Sequence, residues 1–105
     1  MIFVETSIFT RQVQEYLTDD EYRDLQRVLA ARPDAGALII GSGGLRKMRW
    51  FKQGRGKRGG VRVIYYWAVA PEQILMLLMY PKGKRDDLTP IQIKMLKKIV
   101  QEEFP

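Results

Sequence analysis

Neither cysteine nor histidine occurs anywhere in the 105 residues. The first absence excludes a disulfide framework and a thiolate nucleophile, and the two together remove the usual ligands of a structural or catalytic zinc. A carboxylate-held magnesium ion would need a cluster of Asp and Glu that the sequence does not suggest, so neither metal nor small-molecule cofactor is expected. Long apolar runs are missing too. No window approaches the roughly 20 residues needed to span a bilayer, and the opening MIFVETSIFTRQ lacks the basic, apolar and cleavage regions of a secretory signal. The expectation is one soluble cytoplasmic domain, residues 1–105, with no membrane partner.

One further absence is local. From Ala35 to Pro71 there is no Asp or Glu, while eight of the 18 Lys and Arg residues fall there. The rest of the chain holds the other 10 cations and all 12 acids, so the formal charge of +6 originates in this one segment. Like charge gathered on that scale opposes folding, and its natural complement is a polyanion.

The hydrophobic pattern divides the chain into elements. Met1–Val4 is a short apolar run suited to a strand. Ile8, Phe9, Val13, Tyr16 and Leu17 then recur at helical spacing. Thr18-Asp19-Asp20-Glu21 has the form of a capping box, which opens a second helix carrying Tyr22, Leu25, Val28 and Leu29 and stopped by Pro33. Ala37–Ile40 and the turn Gly41-Ser42-Gly43-Gly44 lead into three expected strands, Leu45–Phe51, Val61–Val69 and Ile74–Tyr80. The last two are so continuously apolar that both should be central and covered, a task for helices on one side of the sheet. Leu88-Thr89-Pro90 starts a closing helix with Thr as N-cap and Pro in the first turn. The order β-α-α-β-β-β-α predicts an α+β domain: a small antiparallel or mixed sheet with two N-terminal helices and a C-terminal helix packed on it.

Strand alternation sorts the cations. If Met48 and Trp50 face the core, Lys47 and Arg49 share the opposite face, and Arg62 lies opposite Val61, Val63 and Tyr65. An antiparallel register could then bring Arg62 beside the Lys47/Arg49 pair. Tyr80-Pro81-Lys82-Gly83-Lys84-Arg85 adds a phenol and three cations at the end of the last strand. Guanidinium groups bind phosphate bidentately. On RNA the chemistry such a group serves is attack of a 2′-hydroxyl on the adjacent phosphorus, with Arg62 as the clamp for the developing charge. Without histidine, base and acid must come from lysine, tyrosine or a carboxylate, and Lys47 and Tyr80 are the candidates. The catalytic candidates are thus Arg62, Lys47, Arg49, Tyr80 and Lys82. Arg46, Lys52, Arg55, Lys57, Arg58, Lys84 and Arg85 are expected to hold RNA. Gly54-Arg55-Gly56-Lys57-Arg58-Gly59-Gly60 is not a P-loop, because Arg58 stands where Ser or Thr is required and a strand follows. Tyr65, Tyr66 and Trp67 read as core and sheet aromatics rather than stacking platforms, and Lys94, Lys97 and Lys98 as the wet face of the last helix.

The run Gly43-Gly44-Leu45-Arg46-Lys47-Met48-Arg49, the run from Gly54 to Tyr66, Tyr80-Pro81-Lys82 and Asp87-Leu88-Thr89 together resemble the HigB-type branch of the RelE toxin superfamily. That resemblance implies the toxin of a type II toxin-antitoxin system, an endoribonuclease that cuts messenger RNA in the ribosomal A site and leaves a 2′,3′-cyclic phosphate. It implies as partners the 70S ribosome with its mRNA and a cognate antitoxin, often one with a helix-turn-helix DNA-binding domain. Lys47 and Arg49 match the family's basic strand pair, Arg62 the arginine early in the next strand, and Lys82, Lys84 and Arg85 the cations after the last strand. RelE uses a tyrosine near its C-terminus; no tyrosine follows Tyr80 here. The alternatives are a ParE-like inhibitor of DNA gyrase, a non-catalytic RNA- or ribosome-binding module, and a degenerate toxin that retains antitoxin binding alone.

Overall fold

The computed structural model describes residues 1–51, 60–83 and 87–105. Five strands form one mixed sheet in the order β1-β5-β4-β3-β2. They are β1 (Ile2–Glu5), β2 (Ala37–Leu38), β3 (Leu45–Phe51), β4 (Gly60–Ala68) and β5 (Gln73–Pro81). β1 runs parallel to β5 and the remaining pairs are antiparallel. The helices are α1 (Ser7–Tyr16), α2 (Asp19–Ala31) and α3 (Pro90–Glu103). Among the described residues no helix is long and apolar enough to cross a membrane.

Each helix starts on a threonine whose hydroxyl accepts an otherwise unpaired backbone N–H. Thr6 accepts from Phe9, Thr18 from Glu21 and Thr89 from Gln92. In α2 and α3 the reciprocal bond, from the cap amide to the Glu21 or Gln92 side chain, completes a capping box. One such cap contributes about 1 kcal/mol. α2 ends at Ala31, two residues before Pro33, as its ring requires.

The helices divide between the two faces of the sheet, contrary to the expectation of a one-sided cover. Phe9 and Val13 of α1 and Leu25 and Leu29 of α2 pack on Val61, Val63 and Tyr65, with Met48, Trp50 and Trp67 at the margin. Leu96 and Val100 of α3 pack on Leu45, Ile64, Leu75 and Leu77 from the other side. β4 and β5 are covered on both faces, which is why both are continuously apolar. Ile8 and Val28, expected on apolar helix faces, are exposed. The two-residue edge strand β2, pairing Ala37 with Lys47 and Leu38 with Arg46, has no signal of its own in the sequence.

Tyr65 closes one end of the first core. It is fully buried, donates its hydroxyl proton to the Pro33 carbonyl at 2.7 Å and accepts the Gly36 amide at 2.8 Å. A Cβ on Gly36 would stand 2.8 Å from the Tyr65 ring and 3.0 Å from the Lys47 carbonyl, so only glycine permits this approach. Burial, the larger effect, pushes the Tyr65 phenol up from its ordinary pKa, against the Gly36 hydrogen bond, which pulls it down.

Candidate active site

The site is built by register. On β3, Leu45 belongs to the α3 side, so Lys47 and Arg49 share that face; Arg46, Met48 and Trp50 take the other. On β4, Ile64 and Tyr66 face α3, and Arg62 follows the same alternation. Arg49 lies directly opposite Arg62, and Arg62 directly opposite Tyr80 on β5. Three adjacent strands therefore present Arg49, Arg62 and Tyr80 as one transverse row, with Lys47, Ile64 and Leu78 forming the next. The second row continues under α3, while Arg49 and Arg62 lie outside both apolar clusters.

Tyr80 owes its place to a β-bulge. Ile64 pairs with Leu78 but Tyr65 with Met76, so Leu77 is one residue in excess. Leu77 and Leu78 consequently both join the α3-side cluster, Met79 falls on the α1/α2 side and Tyr80 returns to the α3 side beside Arg62.

Arg62 is only 8% exposed, and its Nε has no hydrogen-bond partner among the described residues. Arg49 is exposed, with its guanidinium 5.1 Å from the centre of the Phe51 ring. Neither arginine has a carboxylate partner among the described residues. Burying a guanidinium with an unmatched donor is costly. A phosphate at the Arg49/Arg62 pair would meet two guanidinium charges side by side.

Lys47 differs from the sequence expectation of an unneutralised cluster. Its Nζ forms a 3.2 Å ion pair with Oδ1 of Asp87, which lies just before the α3 cap. Asp87 is the functional candidate that sequence reading missed, since 40 positions separate it from its partner. It lines two clefts that meet at Tyr80. One, of about 270 Å³, includes Lys47, Ile64, Leu88 and Ile93; the other, of about 280 Å³, includes Gln12, Leu78, Leu88 and Gln92.

Lys82 is tied to the start of β4 by its amide, which donates to the Gly60 carbonyl at 3.1 Å, one residue pair beyond Val61 and Pro81. Arg46 does not join the group. Its guanidinium lies on the α1/α2 side and donates to the carbonyls of Gly36 at 2.7 Å and Asp34 at 3.3 Å, which makes it a brace for the chain ahead of β2. Lys52, Arg55, Lys57, Arg58, Lys84 and Arg85 lie outside the described residues. Among the described residues no three His, Cys, Asp or Glu side chains gather to hold a metal.

The backbone carrying this arrangement has a solved counterpart. No family model matches the sequence. The structure of an archaeal RelE–RelB complex from Pyrococcus horikoshii OT3 contains a chain that superimposes with a TM-score of 0.52. The match covers 80% of this chain and 97% of that one at 21% identity. What the two share at that identity is the path of the backbone: an α+β, RelE-like fold in which three helices flank a five-stranded mixed sheet.

Proposed function

We propose that this protein is the toxin of a toxin-antitoxin pair, a metal-independent endoribonuclease that cleaves messenger RNA on the ribosome and is neutralised by a cognate antitoxin. The observation that carries this reading is the row Arg49–Arg62–Tyr80, with a buried, incompletely paired guanidinium at its centre. The fold supports it, since a solved RelE–RelB complex contains the same architecture.

Each group has a task in the 2′-hydroxyl attack. Arg62 and Arg49 bind the scissile phosphate and stabilise the added charge of the phosphorane. Asp87 takes the 2′-hydroxyl proton as the O2′–P bond forms, and Lys47 keeps that carboxylate oriented. The phenol of Tyr80 gives its proton to the leaving 5′-oxygen as the P–O5′ bond breaks. A 2′,3′-cyclic phosphate and a 5′-hydroxyl end result, and every proton is accounted for without a metal. HigB-type specificity and the A-site position of the cut belong to the same proposal.

The test is primer extension on messages from a translation extract, with ribosome-free RNA and the Arg62→Ala variant in parallel. Cuts confined to translated messages and lost in the variant are expected. Intact messages despite tight ribosome association would instead indicate a binding module, and intact messages without association would make DNA gyrase the next target.

A further inference from the structure

The bulge that turns Tyr80 toward Arg62 is gripped from outside the sheet. β1 ends where Glu5 pairs with Met76, which leaves the outer edge of β5 without a strand from Leu77 onward. α1 takes over that edge. The Thr6 amide donates to the Met76 carbonyl at 3.1 Å, the Thr6 hydroxyl donates to the Leu77 carbonyl at 2.9 Å, and the Met79 amide donates to Oε1 of Gln12 at 2.8 Å. Two side chains thus continue the ladder across the excess residue. Gln12 meets the chain one residue before Tyr80 and lines the same cleft as Tyr80 and Asp87.

We infer that Gln12 is a positioning residue: by accepting the Met79 amide it holds the β5 bulge in place and so keeps Tyr80 on the face of Arg62. Strand alternation makes the effect all-or-none. If the bulge closes, Tyr80 exchanges faces with Met79 and its phenol leaves the site. The catalytic consequence rests on the endonuclease reading; the structural consequence does not.

The variants are Gln12→Leu, which keeps the volume and removes the acceptor, and Gln12→Glu, which keeps the acceptor. In protein labelled with ¹⁵N-methionine, the Met79 amide should lose at least about tenfold of its hydrogen-exchange protection in the leucine variant and keep it in the glutamate variant. NOEs from the Tyr80 ring to Leu88 and Ile64 should weaken in parallel. In the cleavage assay kcat should fall about 100-fold in Gln12→Leu, the scale of a small misplacement of a reacting group. KM for mRNA-programmed ribosomes should be unchanged, and Gln12→Glu should recover most of kcat. If Gln12→Leu does not fold, Gln12→Asn, which retracts the acceptor by one methylene, is read the same way.

Wild-type exchange and NOEs in the leucine variant would overturn the inference, because packing of Leu77 and Leu78 would then suffice to fix the bulge. Loss of kcat with the Met79 amide still protected would overturn it too, placing Gln12 on the substrate instead. Absence of cleavage by the wild-type protein would remove the endonuclease reading alone, and exchange and NOEs would still decide whether Gln12 places Tyr80.

Discussion

Replacing Arg62 by Met should make the protein more stable and inactive together. Arg62 is 8% exposed, its Nε lacks a partner among the described residues, and another arginine stands opposite it across the strand pair. An unsatisfied buried donor costs about 1–3 kcal/mol, and an apolar side chain of similar length removes that cost while keeping the packing of the stem. For a domain of about 100 residues each kcal/mol moves Tm by roughly 4–5 °C, so Arg62→Met should melt about 5–15 °C higher by calorimetry. Cleavage should fall by at least about 100-fold, the usual effect of removing one donor to a developing oxyanion. A melting temperature that falls, or rises by less than about a degree, would show that the rest of the guanidinium is well satisfied within the fold and that Arg62 is a structural residue. A stabilised variant that still cuts would separate the buried charge from the chemistry.

Other substitutions test the supporting geometry. Tyr65→Phe leaves the Gly36 amide and the Pro33 carbonyl without their partner and should cost about 1–3 kcal/mol in urea unfolding. Gly36→Ala should destabilise by at least as much, because the new methyl meets a buried ring and a backbone carbonyl, neither of which can move away. Asp87→Asn removes an exposed ion pair worth less than about 1 kcal/mol, yet should lower kcat strongly; equal activity would exclude Asp87 as the base. Tyr22 governs a pH response. Burial first, then its hydrogen bond to Glu5, raises the phenol well above its ordinary pKa of 10.0. The folded protein therefore keeps a proton that the unfolded chain loses near pH 10, so this contribution is intact below pH 10 and is lost as pH rises further. Urea midpoints on either side of that pH should fall more steeply for the wild type than for Tyr22→Phe; parallel curves would count against the assignment.

Much of the architecture was legible because its signals are local. Thr18 with Glu21, and Thr89 with Pro90, announce helix starts through bonds that close within three residues, and both helices begin there. The β3 boundaries Leu45–Phe51 agree with the sequence expectation, and those of β4 and β5 differ from it by one residue at each end. Alternation also placed Lys47 and Arg49 on one strand face, because period-2 geometry acts within a single strand. Asp87 and Gln12 left no comparable trace. Their partners, Lys47 and Met79, lie 40 and 67 positions away, and an exposed acid or a helical glutamine has nothing in its own neighbourhood to distinguish it.

By itself the sequence determined an acid-free basic segment, two strands apolar enough to be central and covered, threonine caps at the starts of α2 and α3, and a protein without thiol or imidazole chemistry. Only the tertiary structure decided which of the cations meet. The register between β3 and β4 sets Arg49 against Arg62, and the excess residue in β5 sets Tyr80 against Arg62 rather than on the far side of the sheet. Composition and periodicity carry no record of a strand's phase relative to its neighbours. That phase is fixed by hydrogen bonds between distant segments, where a shift of one residue reverses every side chain beyond it.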